Sequence, residues 1–288
     1  NGVKFYHFTG LPHLLGKVET EYEPSIAVLE WAVQEMQDRY HSFSQEGVRN
    51  LEGYNRLHPD KKMTNIVIII DEMADLIIGN SKLLLTFQRF GMDLGFGDRS
   101  IGDVCRRNNV SPQFFLMICN VYCNDDFSPS PEDIKSVDPK TLINYLLESH
   151  KYYINERLPH IEEHLNHIVN ACIPKDGHTL SRFFQEYKNE VVDHFLYEEQ
   201  HVFPYIQQIA DDNVKTDYKI KVFHENHTNI EDKLSDLLNI LVKYLPADVF
   251  PKERVEIALD ISELSADLMS HTLIEERILI PFVRSLED

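Results

Sequence analysis

Basic charge is scarce in this sequence: 28 Lys and Arg stand against 47 Asp and Glu, a formal net charge of -19 at pH 7. Such an excess repels phosphate backbones, so bulk nucleic-acid binding is disfavoured unless a local basic patch overrides the total. Long apolar runs are missing too. The longest purely aliphatic stretch, Ile66 to Ile70, falls far short of the roughly 20 apolar residues needed to cross a bilayer. No charged-then-apolar segment opens the chain, so a cytoplasmic location without a membrane partner is expected. Cysteine is sparse: Cys105, Cys119, Cys123 and Cys172 lack zinc-ribbon spacing and are too few to staple 288 residues, which fits a reducing compartment. What is present is the composition of a globular chain, 43% hydrophobic and 26% charged, long enough for two domains.

The chain changes character along its length. Residues 1–75 hold turn-rich starts, an amphipathic helical segment around Pro24 to Phe43, and the β-branched run Asn65 to Ile70 ending at Asp71 and Glu72. That run reads as a strand buried on both faces, yet no other strand is evident to pair with it, so an incomplete α/β fragment that packs poorly is expected. Residues 76–123 read as a small helical domain of short helices around the turn Gly91 to Gly97, with Ser100 and Asp103 placed as a capping box. Residues 124–139, with Ser128-Pro129-Ser130-Pro131 and Asp138-Pro139, have the composition of a linker. From 140 to 288 the pattern is long and helical.

In that last stretch histidines and glutamates interrupt apolar stripes at helical spacing. One helix carries Leu264, Leu268, His271, Glu275, Ile278 and Phe282; another carries Phe184, Tyr187, Val191, His194, Glu198, Val202 or His201, and Tyr205. A third carries Phe223, His227, Ile230, Leu234, Leu237 and Leu241, and a fourth Ile143, Leu147, His150, Ile154 and Ile161. An internal repeat sharpens the pattern: His150 to His227, His194 to His271 and Glu198 to Glu275 are each 77 residues apart. Two helix pairs therefore each carry a lone His followed 44 residues later by His-x-x-x-Glu. Mainly α architecture is expected, an up-down four-helix bundle aiming these groups at a common core.

Residues four apart share one helix face, so each His-x-x-x-Glu pair can ligate one cluster. Burying six such groups unpaired would cost several kcal/mol each, about the figure for isolated polar groups. Metal removes that cost. Imidazole and carboxylate ligation without thiolate suits iron, or manganese, better than structural zinc. The expected ligands are His150, His194, Glu198, His227, His271 and Glu275, holding two non-haem iron ions bridged by carboxylates and an oxo or hydroxo group, with positions left for O2 or NO. His160, His164, His167 and His178 have no counterparts in the repeat and read as surface groups; His201, three residues after Glu198, is the candidate addition.

These residues carry a resemblance. With His150 upstream of Leu158-Pro159, His194-x-x-x-Glu198-Glu199 before Phe203-Pro204, His227, and His271-x-x-x-Glu275 before Ile280-Pro281, residues 140–288 resemble a hemerythrin-like HHE domain. The stretch from about 76 onward is similar to the RIC family, di-iron proteins of iron-sulfur cluster repair. The resemblance implies repair or redox stress protection with damaged iron-sulfur proteins as partners; the alternative is a sensor or store of O2, NO or iron without turnover. The family's adjacent cysteine pair is absent: Leu94-Gly95-Phe96-Gly97 fills that turn.

Residues 1–78 resemble a fragment of the FtsK/SpoIIIE DNA-translocase motor through Gly10-Leu11-Pro12-His13-Leu14-Leu15, Leu29 to Met36, Gly47 to Asn55, and Ile69-Ile70-Asp71-Glu72-Met73-Ala74-Asp75-Leu76. The last is similar to a Walker B strand, which implies that Asp71 holds Mg²⁺ and Glu72 polarises water. Gly10 to Lys17 misses the G-x-x-x-x-G-K-[ST] pattern, so this fragment alone is not expected to act as an ATP-driven translocase. Residues 100–122 also admit a helix-turn-helix, but Pro112 to Tyr122 has no Lys or Arg and suits packing better than a DNA groove.

Overall fold

The structure, a computed structural model, describes residues 11–16, 18–19, 22–68, 81–97, 99–124, 127–210, 218–226, 230, 232–245 and 250–287. It divides into two compact units, Asn1–Leu84 and Leu85–Asp288.

In the first unit, α1 (Tyr22–Gln45) covers the amphipathic segment expected around Pro24 to Phe43. A short α2 (Leu51–Leu57) follows, capped by Asn50, whose side chain accepts from the Gly53 N–H at 2.8 Å. Asn55 ties α2 to the following chain by two 2.8 Å bonds with the Met63 backbone. Phe43, packed on Tyr54 at 5.7 Å between ring centroids, is the one buried hydrophobic side chain among the described residues of this unit. Trp31, Tyr40 and Val67 stay exposed. The strand expected at Ile66 to Ile70 is corrected where it is described: Ile66 to Ile68 is irregular, and Val67 is 80% exposed. A strand needs a neighbour to pair its N–H and C=O groups, and none exists among the described residues. Ile69, Ile70, Asp71 and Glu72 lie outside the described residues.

The second unit begins in α3 (Ser81–Arg89) and the turn after it, where Gly91, Gly95 and Gly97 all have positive φ. Ser100 caps α4 (Ile101–Arg107) by accepting from the Asp103 N–H at 3.1 Å. Three more helices start with a capping side chain before a proline: Ser111 for α5 (Pro112–Cys123), Ser130 for α6 (Pro131–Lys135) and Asp138 for α7 (Pro139–Tyr152). Proline suits the first helical position because its missing N–H would lack an intrahelical partner there. Phe114, Phe115, Met117, Ile118, Val121 and Tyr122 of α5 are buried, so this helix packs inward rather than presenting a recognition face.

Beyond α7 the chain forms four long rods among the described residues. The first joins α7 through a π turn (Tyr153–Arg157) to α8 (Leu158–Ala171). The second joins α9 (Pro174–Tyr197) through Glu198–Val202 to α10 (Phe203–Ala210). The third comprises α11 (Ile220–Asn226), α12 (Asp232–Asn239) and the π turn Ile240–Tyr244. The fourth joins α13 (Pro251–Ile274) through Glu275–Leu279 to α14 (Ile280–Glu287). Contacts run from α8 to α9, α9 to α12, α12 to α13 and α13 back to α8, which closes the four-helix bundle. Beside the connection between them, Gly177 of α9 lies so close to α8 that an added Cβ would stand 2.6 Å from the Val169 carbonyl oxygen.

The π turns have a cause in the sequence. Each is centred four residues before a proline, at positions 155, 200, 242 and 277 ahead of Pro159, Pro204, Pro246 and Pro281. A proline in a helix clashes with the carbonyl four residues back and cannot bond to it. A wider turn relieves that clash: the N–H groups of Leu158, Phe203 and Ile280 bond five residues back, to the carbonyls of Tyr153, Glu198 and Glu275. Tyr153 and Leu146 are buried on the first rod, whereas Leu147 and Ile154, expected on the seam, are half-buried.

Candidate metal centre

Three rods deliver donors to one level of the bundle. His150 ends α7, Glu198 opens the π turn after α9, and His271 and Glu275 stand one turn apart where α13 gives way to its own π turn. All four are at most 1% exposed. Each offers a ligand atom within 4.8 Å of those of the other three. His194, one turn before Glu198 and 11% exposed, brings Nε2 to 2.8 Å from Glu198 Oε1. His227 lies outside the described residues. His201 is exposed and stacks on Tyr197 at 5.0 Å, because the wide turn advances less per residue and carries it off the Glu198 face. His178 is exposed on α9.

The electrostatics of this level call for a cation. His150 Nδ1 stands 2.9 Å from Glu199 Oε1, and since an ionised carboxylate only accepts, Nδ1 carries the hydrogen and donates it. On a neutral ring this leaves the Nε2 lone pair facing Glu198 Oε2 at 3.1 Å. His271 Nε2 stands 3.2 Å from Glu275 Oε1, and no carboxylate holds the hydrogen of this ring on Nδ1. Acceptor facing acceptor in a dry interior is repulsive, and a proton or a metal ion between them turns it attractive. Without metal, His150 holds a proton there more readily than a free imidazole does. Burial opposes its charge, but the carboxylates of Glu198, Glu199 and Glu275 outweigh burial and raise its pKa. The residues present therefore fit a metal held by two imidazole and two carboxylate donors, with His194 beside them.

The walls are apolar and aromatic. The His150 ring stacks on Phe195 at 4.0 Å and 12° and on Phe203 at 5.6 Å and 20°, and the Phe195 ring also meets that of His271 edge-on. Below them lies a buried polar network. Arg89 of α3 bonds both oxygens of Asp267, one turn before His271, and also reaches the hydroxyls of Tyr122 and Tyr153. Tyr122 donates to Asp267 at 3.2 Å and receives from Tyr145 at 3.1 Å. Burial pushes all three tyrosine pKa values up.

Sequence reasoning did not find this network, nor the Glu199 contact. Arg89 and Asp267 are 178 residues apart and nothing local couples them. Glu199 did carry a signal, since the repeat pairs it with Glu276.

Comparison with protein families matches residues 141–283 to the hemerythrin HHE cation binding domain. These residues belong to the hemerythrin HHE family. The HHE domain contains every donor named above, and its cation-binding character agrees with the buried His and Glu cluster. Residues 1–86 match the FtsK/SpoIIIE family. Curated relatives of that part include the DNA translocase FtsK of Caldanaerobacter subterraneus subsp. tengcongensis, 46% identical over 71 residues, and of Clostridium acetobutylicum, 47% identical over 75 residues; each match spans 25% of this chain and 10% of the relative. The DNA translocase SftA of Bacillus subtilis is 36% identical over 80 residues, 26% of this chain and 8% of the relative. The chain thus spans about a tenth of the length of these relatives. A fragment of a motor family precedes an HHE domain in one chain. No helix among the described residues is long and apolar enough to cross a membrane.

Proposed function

We propose that the HHE domain holds two non-haem iron ions between its rods and serves iron-sulfur cluster repair or protection against redox stress. The supporting observation is the cluster of ligand atoms on His150, Glu198, His271 and Glu275, buried at one level within 4.8 Å of one another and supplied by both halves of the repeat. Bound iron would contribute a ferrous–ferric couple and open positions for a small ligand. The protein's own share is positional. Glu198 and Glu275 lie within reach of imidazoles from both halves, Phe195 and Phe203 keep bulk water from the His150 side, and His194 stands at the least buried edge of the cluster. The similarity of residues 76–288 to the RIC family gives cluster repair its place in the reading. The test is anaerobic: the ferrous-loaded chain is added to a peroxide-inactivated iron-sulfur enzyme. Recovery that the metal-free chain does not give supports repair.

A second reading is a sensor or store of O2, NO or iron without turnover. The enclosure of the cluster favours it, because a dry aromatic pocket admits a diatomic molecule more readily than a protein-bound cluster. Reversible optical changes under O2 or NO, with no recovery of the damaged enzyme, would select this reading. ATP-driven DNA movement is not proposed, since residues 1–86 contain no G-x-x-x-x-G-K-[ST] stretch.

A further inference from the structure

Glu199 is not among the clustered donors, yet it makes the best-defined contact to one of them. It follows Glu198 at the start of a π turn, where Glu198 is fully buried while the Glu199 side chain is 35% exposed. From that rim its Oε1 reaches His150 Nδ1, on a different rod, at 2.9 Å. A histidine ring with a carboxylate on Nδ1 is held in one tautomer and one orientation, its Nε2 lone pair aimed away from the carboxylate. Here Nε2 is aimed at Glu198 Oε2. The aromatic rings of Phe195 and Phe203 stack on the imidazole, and its Nδ1 is met by Glu199.

The repeat extends the relation. Adding 77 residues maps His150 onto His227 and Glu199 onto Glu276, and both carboxylates stand in the same His-x-x-x-Glu-Glu sequence opening a π turn. Glu276 is exposed, as the rim position requires. Only the first half's contact is described, since His227 lies outside the described residues.

We infer that Glu199 is a positioning residue: it lies next to the buried Glu198 of its own helix and fixes His150, on another rod, in the tautomer that presents Nε2 to the cluster; by sequence the repeat makes Glu276 its counterpart, and the variants below test whether it acts on His227. The buried Glu of His-x-x-x-Glu-Glu is the donor and the following Glu orients a donor on the partner rod. This rests on the metal-centre reading for its purpose, but the tautomer itself exists without metal.

The experiment uses the full chain as Glu199→Ala, Glu199→Gln, Glu276→Ala and wild type, with folding checked by far-UV circular dichroism. In the metal-free protein at alkaline pH, where the rings are neutral, ¹⁵N-edited spectra read the tautomers of His150 and His227. Expected is Nδ1–H in wild type and in Glu199→Gln, whose amide oxygen still accepts, and a mixed population at His150 alone in Glu199→Ala and at His227 alone in Glu276→Ala. Titration with Fe²⁺ under argon should show affinity about 10- to 100-fold weaker for each Ala variant and near wild type for Gln. Unchanged tautomers in the Ala variants overturn the inference whatever the metal result. A wild-type chain that shows the expected tautomers but takes up no iron overturns the metal reading and leaves the positioning role standing.

Discussion

The guanidinium of Arg89 and the carboxylate of Asp267 meet in the interior of the second unit, with Nη1 3.0 Å from Oδ1 and side chains only 2% and 7% exposed. The pair joins α3 to α13 one turn from His271. Removing one partner leaves a buried charge, which costs about 3–5 kcal/mol. Asp267→Ala should therefore lower the urea midpoint far more than the double variant Arg89→Met with Asp267→Leu, which removes both charges. Equal losses would show that the pair is not desolvated as described.

Metal uptake should fall with acidity. His150 has a raised pKa without metal, held up by Glu198, Glu199 and Glu275 against burial, so a proton competes for the position at higher pH than it would on a free imidazole. Binding then releases protons, and affinity rises with pH until the raised value is passed. Calorimetric Fe²⁺ titrations in buffers of different ionisation enthalpy measure the protons released. Release near zero at pH 7 would contradict the arrangement.

The thiols of the small helices should differ in reactivity. Burial raises Cys105 to about 11 and pushes Cys119 up further, while Cys123 is exposed. The thiolate is the nucleophile, so alkylation at pH 8 should reach Cys123 first, and Cys105 should respond only as pH nears its raised value. Mass spectrometry of iodoacetamide-treated protein gives the order directly.

Gly177→Ala should destabilise the bundle. The new methyl would stand 2.6 Å from the Val169 carbonyl oxygen, and since that atom is backbone the two rods must part. Overpacking of this kind costs about 1–3 kcal/mol. Thermal melts compared with Gly102→Ala, where the nearest atoms belong to the flexible Arg106 side chain, would isolate the effect.

What was legible in the sequence follows from what repeats. Leu264, Leu268, His271, Glu275, Ile278 and Phe282 are all buried on one face, as their spacing requires, because a seam of steps of three and four survives one π turn. On the first rod Leu146 and Tyr153 lie inside instead of Leu147 and Ile154, because steps of three, four and three from Ile143 fit a helical seam as well as steps of four, three and four. The wide turn before Pro159 was signalled by the proline alone. Long-range polar pairs such as Arg89 with Asp267 leave no periodic trace. The β-branched run at Ile66 to Ile68 is the opposite failure, where local preference for a strand met no partner to pair with.

The most direct measurement is the metal content of the purified full chain after anaerobic loading with ferrous salt, compared among wild type, Glu198→Ala, Glu275→Ala and His178→Ala. Two irons per chain are expected in wild type and in His178→Ala, which alters an exposed side chain, and most of the iron should be lost from each Glu variant. Equal iron in all four proteins, or none in wild type, would contradict the di-iron centre.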